Sequence, residues 1–141
     1  MESKDWEQIR NFKEHERWGD KSLIRIELIK ELDDFRDYIN SPVFISCGTQ
    51  GQHSPNSLHY TGMAVDVMFP KLKAKDLPDL LLTAMRFNFS GIGIYPHWTL
   101  KGDAIGGMHL DIRRSLIKSL WIGLANNRYL ALSFKSLNDH F

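Results

Sequence analysis

Two short stretches carry side chains able to hold a metal ion. The first is Ser57-Leu58-His59-Tyr60-Thr61-Gly62-Met63-Ala64-Val65-Asp66-Val67, and the second is Gly107-Met108-His109-Leu110-Asp111-Ile112. From Met63 to Phe69 the residues alternate: Met63, Val65, Val67 and Phe69 share one face, while Ala64, Asp66 and Met68 share the other, as in a half-buried strand. The second stretch alternates likewise, with Met108, Leu110 and Ile112 opposite Gly107, His109 and Asp111. If both strands join one sheet, Asp66 and His109 can project to the same side. Gly62 gives the backbone the freedom to turn a loop bearing His59 back over the strand. Two imidazoles and one carboxylate on one point form the three-ligand set of a catalytic zinc site, with a fourth position open. The same residue types also serve as surface histidines and turn-capping aspartates, so spacing alone leaves both readings open.

The elements that must position these residues follow from the rest of the pattern. From Asp20, a good N-cap, apolar residues at Ile24, Leu28, Leu32, Phe35 and Ile39 step at helical spacing, and Asn40 and Pro42 close the segment. Val43 to Ser46 reads as a short strand. Cys47 to Ser57 is a Gly-, Ser-, Asn- and Pro-rich loop beside a candidate ligand. A second helix is expected from about Asp76 to Phe87, with Pro78 in its first turn and Leu80, Leu81, Ala84 and Met85 as its buried stripe. Gly91 to Tyr95 reads as a strand with Ile92 and Ile94 towards the core, its glycines and Tyr95 leaving room for a ligand on the other side. Leu116 to Leu124 and Tyr129 to Phe134 read as a closing hairpin around Asn126-Asn127, with a helix over 115–122 as the alternative. Residues 1–20 form an N-terminal arm whose Trp6, Phe12 and Trp18 are expected to pack on the domain.

Several separate blocks, in one order, resemble a known family. The pattern Ser57-x-His59-x-x-Gly62-x-Ala64-x-Asp66, then Gly91-Ile92-Gly93-Ile94-Tyr95, then His109-x-Asp111 is similar to the zinc D-Ala-D-Ala peptidases of the M15 type. Over His53 to Tyr60 the chain also resembles the hedgehog signalling domain, which shares that fold. The resemblance implies Zn2+ on His59, Asp66 and His109. Zinc hydrolysis also needs a group to accept water's proton and pass it on. The family's carboxylate for this task commonly lies three residues before the second His, and here that position is Gly106. Asp103, six residues before His109 as in the hedgehog-like branch, is assigned as the base. Asp111 is assigned a supporting role, with service as the base as its alternative, and His53 and His97 are further candidate catalytic donors.

A second departure concerns substrate. Where the family carries Ser-Gly-Tyr-Arg, this chain reads Cys47-Gly48-Thr49-Gln50, and Gln50 cannot make the bidentate ion pair of an Arg with a free carboxylate. Cleavage within a peptide is therefore expected over carboxypeptidase action. Gln50, His53, Ser57, Tyr95 and Trp98 are the expected substrate-binding residues. Cys47 is a conceivable soft ligand, but its place after a core strand favours an apolar role.

Composition bounds the remainder. The 141 residues, 43% hydrophobic, suit one domain over 1–141 with one core. A formal charge of +1 gives no footprint for nucleic acid or an anionic membrane. With Cys47 as the only cysteine, no disulfide forms within the chain. Met1 to Asp5 lack the apolar run of a secretory signal, so a cytoplasmic product is expected, whose action on a cell wall needs release by another factor. The sum is an α+β domain: a small antiparallel sheet, helices on one face and a zinc cleft on the other, hedgehog/DD-peptidase-like. Its expected function is zinc-dependent cleavage of peptidoglycan stem or cross-link peptides, fitting a phage or prophage lysis factor. The alternative is a hedgehog-like zinc-containing binding module without peptidase activity.

Overall fold

A computed structural model describes residues 1–141. Its framework is one six-stranded sheet made of β1 (Phe44–Cys47), β2 (Ala64–Met68), β3 (Gly91–Tyr95), β4 (Gly107–Asp111), β5 (Ser119–Leu124) and β6 (Arg128–Ala131). The spatial order is β1-β2-β4-β3-β5-β6. All neighbours are antiparallel except β3 and β5, which run parallel. The architecture is thus α+β with a mostly antiparallel open sheet, larger than the small antiparallel sheet expected and mixed rather than pure. Long-range strand pairing leaves no local signature in sequence, so the parallel pair had no signal to announce it.

Period-two alternation sorts the sheet into two faces. Val65, Val67, Met108, Leu110, Ile92, Ile94 and Ile122 are fully buried on one side. Against them pack α1 (Ile26–Ile39), through Leu28, Ile29, Leu32 and Phe35, and α2 (Leu77–Ala84), through Leu77, Leu80, Leu81 and Ala84. Phe35 meets Phe69, Phe87 and Phe89 edge-on, with ring centroids 6.3, 5.6 and 5.9 Å apart. The opposite face carries one continuous cross-strand row, Asp66 beside His109 beside Gly93 beside Trp121. That row is the floor of the candidate site.

The first helix begins six residues after Asp20. Asp20 instead closes a turn, its carboxylate accepting from the Ser22 amide and hydroxyl at 3.0 and 2.6 Å, and Arg25 stands at the N-cap. At the other end Asn40, at φ 50°, is the left-handed cap. The second helix ends at Ala84, because Arg86 and Phe87 bond to Thr83 and Ala84 in tighter i to i−3 turns. The closing hairpin forms, with Asn126 and Asn127 at φ 62° and 56°. Its second strand stops at Ala131, and Phe134–His140 forms a third helix, α3, that the strand reading missed. The signal was Ser133, whose hydroxyl accepts from the Ser136 amide at 3.0 Å as an N-cap. No helix is long and apolar enough to cross a membrane.

The N-terminal arm is part of the core. Trp6, Ile9, Phe12 and Trp18 are buried in it, and Trp18 lies 5.2 Å from Trp6 and 5.8 Å from Phe12 between ring centroids. Buried Asp33 on α1 accepts from the Arg10 and Asn11 amides, each at 2.9 Å. The arm then grips the loop after β1: the Trp18 carbonyl accepts from the Thr49 amide at 2.8 Å, and the Gln50 side chain donates to the Arg17 carbonyl at 2.9 Å. These contacts set Gly48, which acts on the site.

Candidate metal centre

Two devices hold the expected ligand set. Asp66 and His109 are directly paired partners at the centres of β2 and β4, so antiparallel register brings their side chains together without a loop. His59 lies on a 3-10 turn, Leu58–Thr61, whose cap is the Ser57 hydroxyl, accepting from the His59 amide at 3.3 Å. Gly62 ends that turn in the left-handed region at φ 70°. A Cβ there would run into the Leu23 carbonyl, so both conformation and close approach require glycine.

The three donor atoms form a triangle. His59 Nε2 lies 3.3 Å from Asp66 Oδ1, His109 Nδ1 lies 3.1 Å from the same oxygen, and the two nitrogens are 3.3 Å apart. Ligands of a tetrahedral ion with bonds of about 2.0 to 2.1 Å lie roughly 3.3 to 3.4 Å from one another. The edges therefore fit such an ion. The outer ring nitrogens fit it as well. His59 Nδ1 is 2.7 Å from the Gly48 carbonyl, which can only accept, so the proton sits on Nδ1 and the Nε2 lone pair faces the triangle. His109 Nε2 is 2.8 Å from Asp111 Oδ2, which aims the Nδ1 lone pair inward in the same way.

Electrostatics follow from this crowding. Burial would raise the Asp66 carboxyl, but the bond from His109 overcomes it and holds it down at about 2. Burial would lower His109, yet Asp111 and Asp66, one on each ring nitrogen, lift it to about 9. Strand register holds His109 beside Asp66, and a cation in the triangle would stand where a shared proton otherwise lies between them. Asp111 is fully buried, and Arg113 clamps it through Nε at 2.9 Å and Nη2 at 2.6 Å. Burial opposes its ionisation, but Arg113 and His109 hold it far below the usual carboxylate range. Removing that charge while keeping the shape should loosen His109: Asp111→Asn is expected to weaken zinc affinity about 10- to 100-fold. Competition against a chelator of known affinity measures this, and unchanged affinity would remove Asp111 from the support of the site.

The triangle opens into a cleft of about 1130 Å³. His53, Ser57, Tyr95, His97 and Trp98 line it, with Asp111 at its edge. His53 stacks on His59, ring centroids 4.1 Å apart and nearly parallel at 8°. Two expected residues lie elsewhere. Gln50 turns away from the cleft, its oxygen accepting from the Gly48 amide at 2.8 Å and its nitrogen donating to Arg17, so it braces the loop. Asp103 is exposed in a turn closed by the mutual backbone bonds of Leu100 and Asp103, at 2.8 and 3.0 Å, and does not line the cleft. The segment between β3 and β4 is closed on itself by these bonds and by the Gly106 amide donating to the Trp98 carbonyl at 2.9 Å. Burial pushes the Cys47 thiol up to about 11, in keeping with a protonated, partly buried side chain.

The β3 glycines expected to leave room for a ligand are covered by the protein's own side chains, Gly91 by the Asp111 carboxylate and Gly93 by a ring, and Gly107 and Gly123 also lie against rings. A Cβ on Gly93 would meet the Trp121 indole, one on Gly107 the Trp98 ring and one on Gly123 the Tyr95 ring. Tyr95 and Trp98 stack at 4.2 Å, and Trp121 Nε1 donates to the Tyr95 hydroxyl at 2.8 Å. Arg113 covers Trp121, with its guanidinium 5.5 Å from the ring centroid. An aromatic floor thus extends from His109 towards Asn126, Asn127 and Tyr129 on the far wall. Arg113, Trp121 and these hairpin residues were missed in sequence. The available signal was the alternation after His109, which puts Arg113 on the face of Asp111. The chain matches no family model and no curated protein.

Proposed function

We propose that the chain is a zinc-dependent peptidase with a hedgehog/DD-peptidase-like fold, acting on amide bonds of peptidoglycan-type peptides. One observation carries the reading. Three acceptor atoms from His59, Asp66 and His109 lie 3.1 to 3.3 Å apart, each outer imidazole nitrogen bonded to an acceptor, at the base of an open cleft. When bound, zinc supplies Lewis-acid chemistry, polarising a carbonyl and acidifying water. The resemblance of the Ser57 to Asp66 and His109 to Asp111 blocks to the M15-type peptidases supports the substrate class.

The chain's own residues divide the remaining work. The stacked Tyr95 and Trp98 rings offer a flat wall for an extended peptide, and His53 and Ser57 offer polar contacts opposite. Gln50 turns away from the cleft and no Lys or Arg stands between Cys47 and Ser57, so that loop offers a terminal carboxylate no cation, in keeping with cleavage inside a cross-link. Proton transfer falls to His97, because the cleft holds no uncommitted carboxylate: Asp66 belongs to the triangle, and Asp111 is engaged by His109 and Arg113. His97→Gln should keep zinc and fold while losing on the order of 10² to 10⁴ in hydrolysis of a cross-link peptide, and Asp103→Asn should lose little. The reverse result would return the base role to Asp103.

The absence of a free carboxylate also favours a second reading, a zinc-containing peptide-binding module. A zinc-loaded wild type that binds cross-link peptides and leaves them intact over long incubation would establish that reading in place of hydrolysis.

A further inference from the structure

Beside the triangle, on the β1 side, lies a second group of donors, of which the proposed hydrolysis uses only His53, as a polar contact on the cleft wall. Cys47 is the last residue of β1 and His53 lies six residues on, across the loop. Cys47 Sγ is 3.5 Å from His53 Nε2, and both reach the Gln50 carbonyl oxygen, at 3.1 and 2.9 Å. Three donor atoms of three types therefore converge: a thiol, an imidazole and a carbonyl. Their convergence is built into the loop. The Gly48 amide bonds the Gln50 side chain, Gly51 turns at φ 88°, and the Tyr60 hydroxyl accepts from the His53 amide at 2.8 Å while donating to its carbonyl at 3.2 Å.

Ligand spacing identifies the kind of occupant. An ion with a sulfur bond of about 2.3 Å and a nitrogen bond of about 2.0 Å in tetrahedral geometry separates S from N by roughly 3.5 Å. The observed Cys47 to His53 separation is 3.5 Å, while the Gln50 carbonyl, 3.1 and 2.9 Å from that pair, stands at hydrogen-bond distances and has to draw back by roughly 0.5 Å to become a third ligand. Although the His59 ring lies against His53, its Nδ1 serves Gly48 and its Nε2 the triangle, so the two groups share no ligand atom. Thiolate with imidazole selects soft or borderline ions over Mg2+ and Ca2+. We infer that Cys47 Sγ, His53 Nε2 and the Gln50 carbonyl form a second cation site, for a thiophilic ion such as Cd2+ or zinc beyond the first equivalent.

The step balances without any redox partner. On binding, the Cys47 S–H bond breaks, its proton leaves to solvent, and the sulfur lone pair forms the bond to the ion. His53 exchanges its ring proton from Nε2 to Nδ1 through solvent, freeing Nε2. Without an ion both protons point at the Gln50 carbonyl, which explains why that oxygen has two close neighbours.

The test titrates zinc-loaded full-length protein with Cd2+ while zinc and cadmium are counted separately in the same sample. The wild type is expected to take up one Cd2+ beyond its zinc, with a thiolate-to-cadmium charge-transfer band in the ultraviolet. Cys47→Ser should retain its zinc and lose both the band and the added ion. His53→Ala should weaken the second ion by roughly tenfold or more. His109→Ala, deprived of the first site, should still show the band, which separates this site from the proposed catalytic one. No band in the wild type, a second ion retained by Cys47→Ser, or unchanged affinity in His53→Ala would each overturn the assignment.

Discussion

Alanine at His59, Asp66 or His109 is expected to leave a folded protein without stoichiometric zinc. The core beneath the sheet is independent of the triangle: Val65, Val67, Met108, Leu110, Ile92 and Ile94 are fully buried on the opposite face, under α1 and α2. Far-ultraviolet circular dichroism should therefore be retained while the metal is lost. The same logic applies to chelation, which should lower the melting temperature without removing the cooperative transition. Under the proposed hydrolysis, losing a Lewis acid's several kcal/mol of stabilisation corresponds to roughly 10³-fold or more in turnover on a cross-link peptide. Asp66 should be the most sensitive position, since its oxygen touches both imidazole nitrogens and is the only negative charge in the triangle. Stoichiometric zinc retained by the His109→Ala protein would refute the ligand assignment, and an unfolded apoprotein would make the metal a folding element.

The parts of this site legible in sequence are those governed by short periods. Asp66 and His109 were readable because each sits at the centre of a strict two-residue alternation, and alternation fixes which side of a strand a group faces. Pairing the two strands makes them neighbours with no further information. His59 was readable through Gly62, whose left-handed turn has a residue-type signature. The role of Trp121 was not readable. It reaches the site only because β5 lies parallel to β3 and places Trp121 opposite Gly93, a juxtaposition of residues 28 positions apart. Gln50 misled for a related reason, since what competes for its amide is the Arg17 carbonyl on an arm more than thirty residues away. The base assignment rested on the place of Asp103 six residues before His109, as the resemblance implies, and spacing along a loop does not say which way the loop folds. There the backbone bonds between Leu100 and Asp103 decided.

Gly62→Ala is expected to be the most damaging single-methyl change in the chain's loops, and Gly102→Ala is its control. Both glycines have positive φ, 70° and 86°, so an alanine at either pays about 1 to 2 kcal/mol for the left-handed conformation. Only at Gly62 does the new Cβ meet backbone, the Leu23 carbonyl and the Ile24 Cα, whereas at Gly102 it meets nothing within 4 Å. Gly62 cannot easily move aside. Its carbonyl accepts from the Arg25 amide at 3.0 Å at the start of α1, and its amide donates to the His59 carbonyl at 3.1 Å. Relief of the collision must therefore shift either the entry to α1 or the turn that carries His59. Strain and collision together should cost about 3 to 5 kcal/mol, or roughly 10 to 15 °C in Tm, against about 1 to 2 kcal/mol at Gly102. The same displacement should weaken zinc binding in Gly62→Ala and leave it unchanged in Gly102→Ala, because only the former moves a ligand. Equal losses of stability in the two variants would mean that conformation alone matters at Gly62. Full zinc affinity in a destabilised Gly62→Ala protein would mean that the Ser57 cap and the Gly48 carbonyl hold His59 without the turn's last residue.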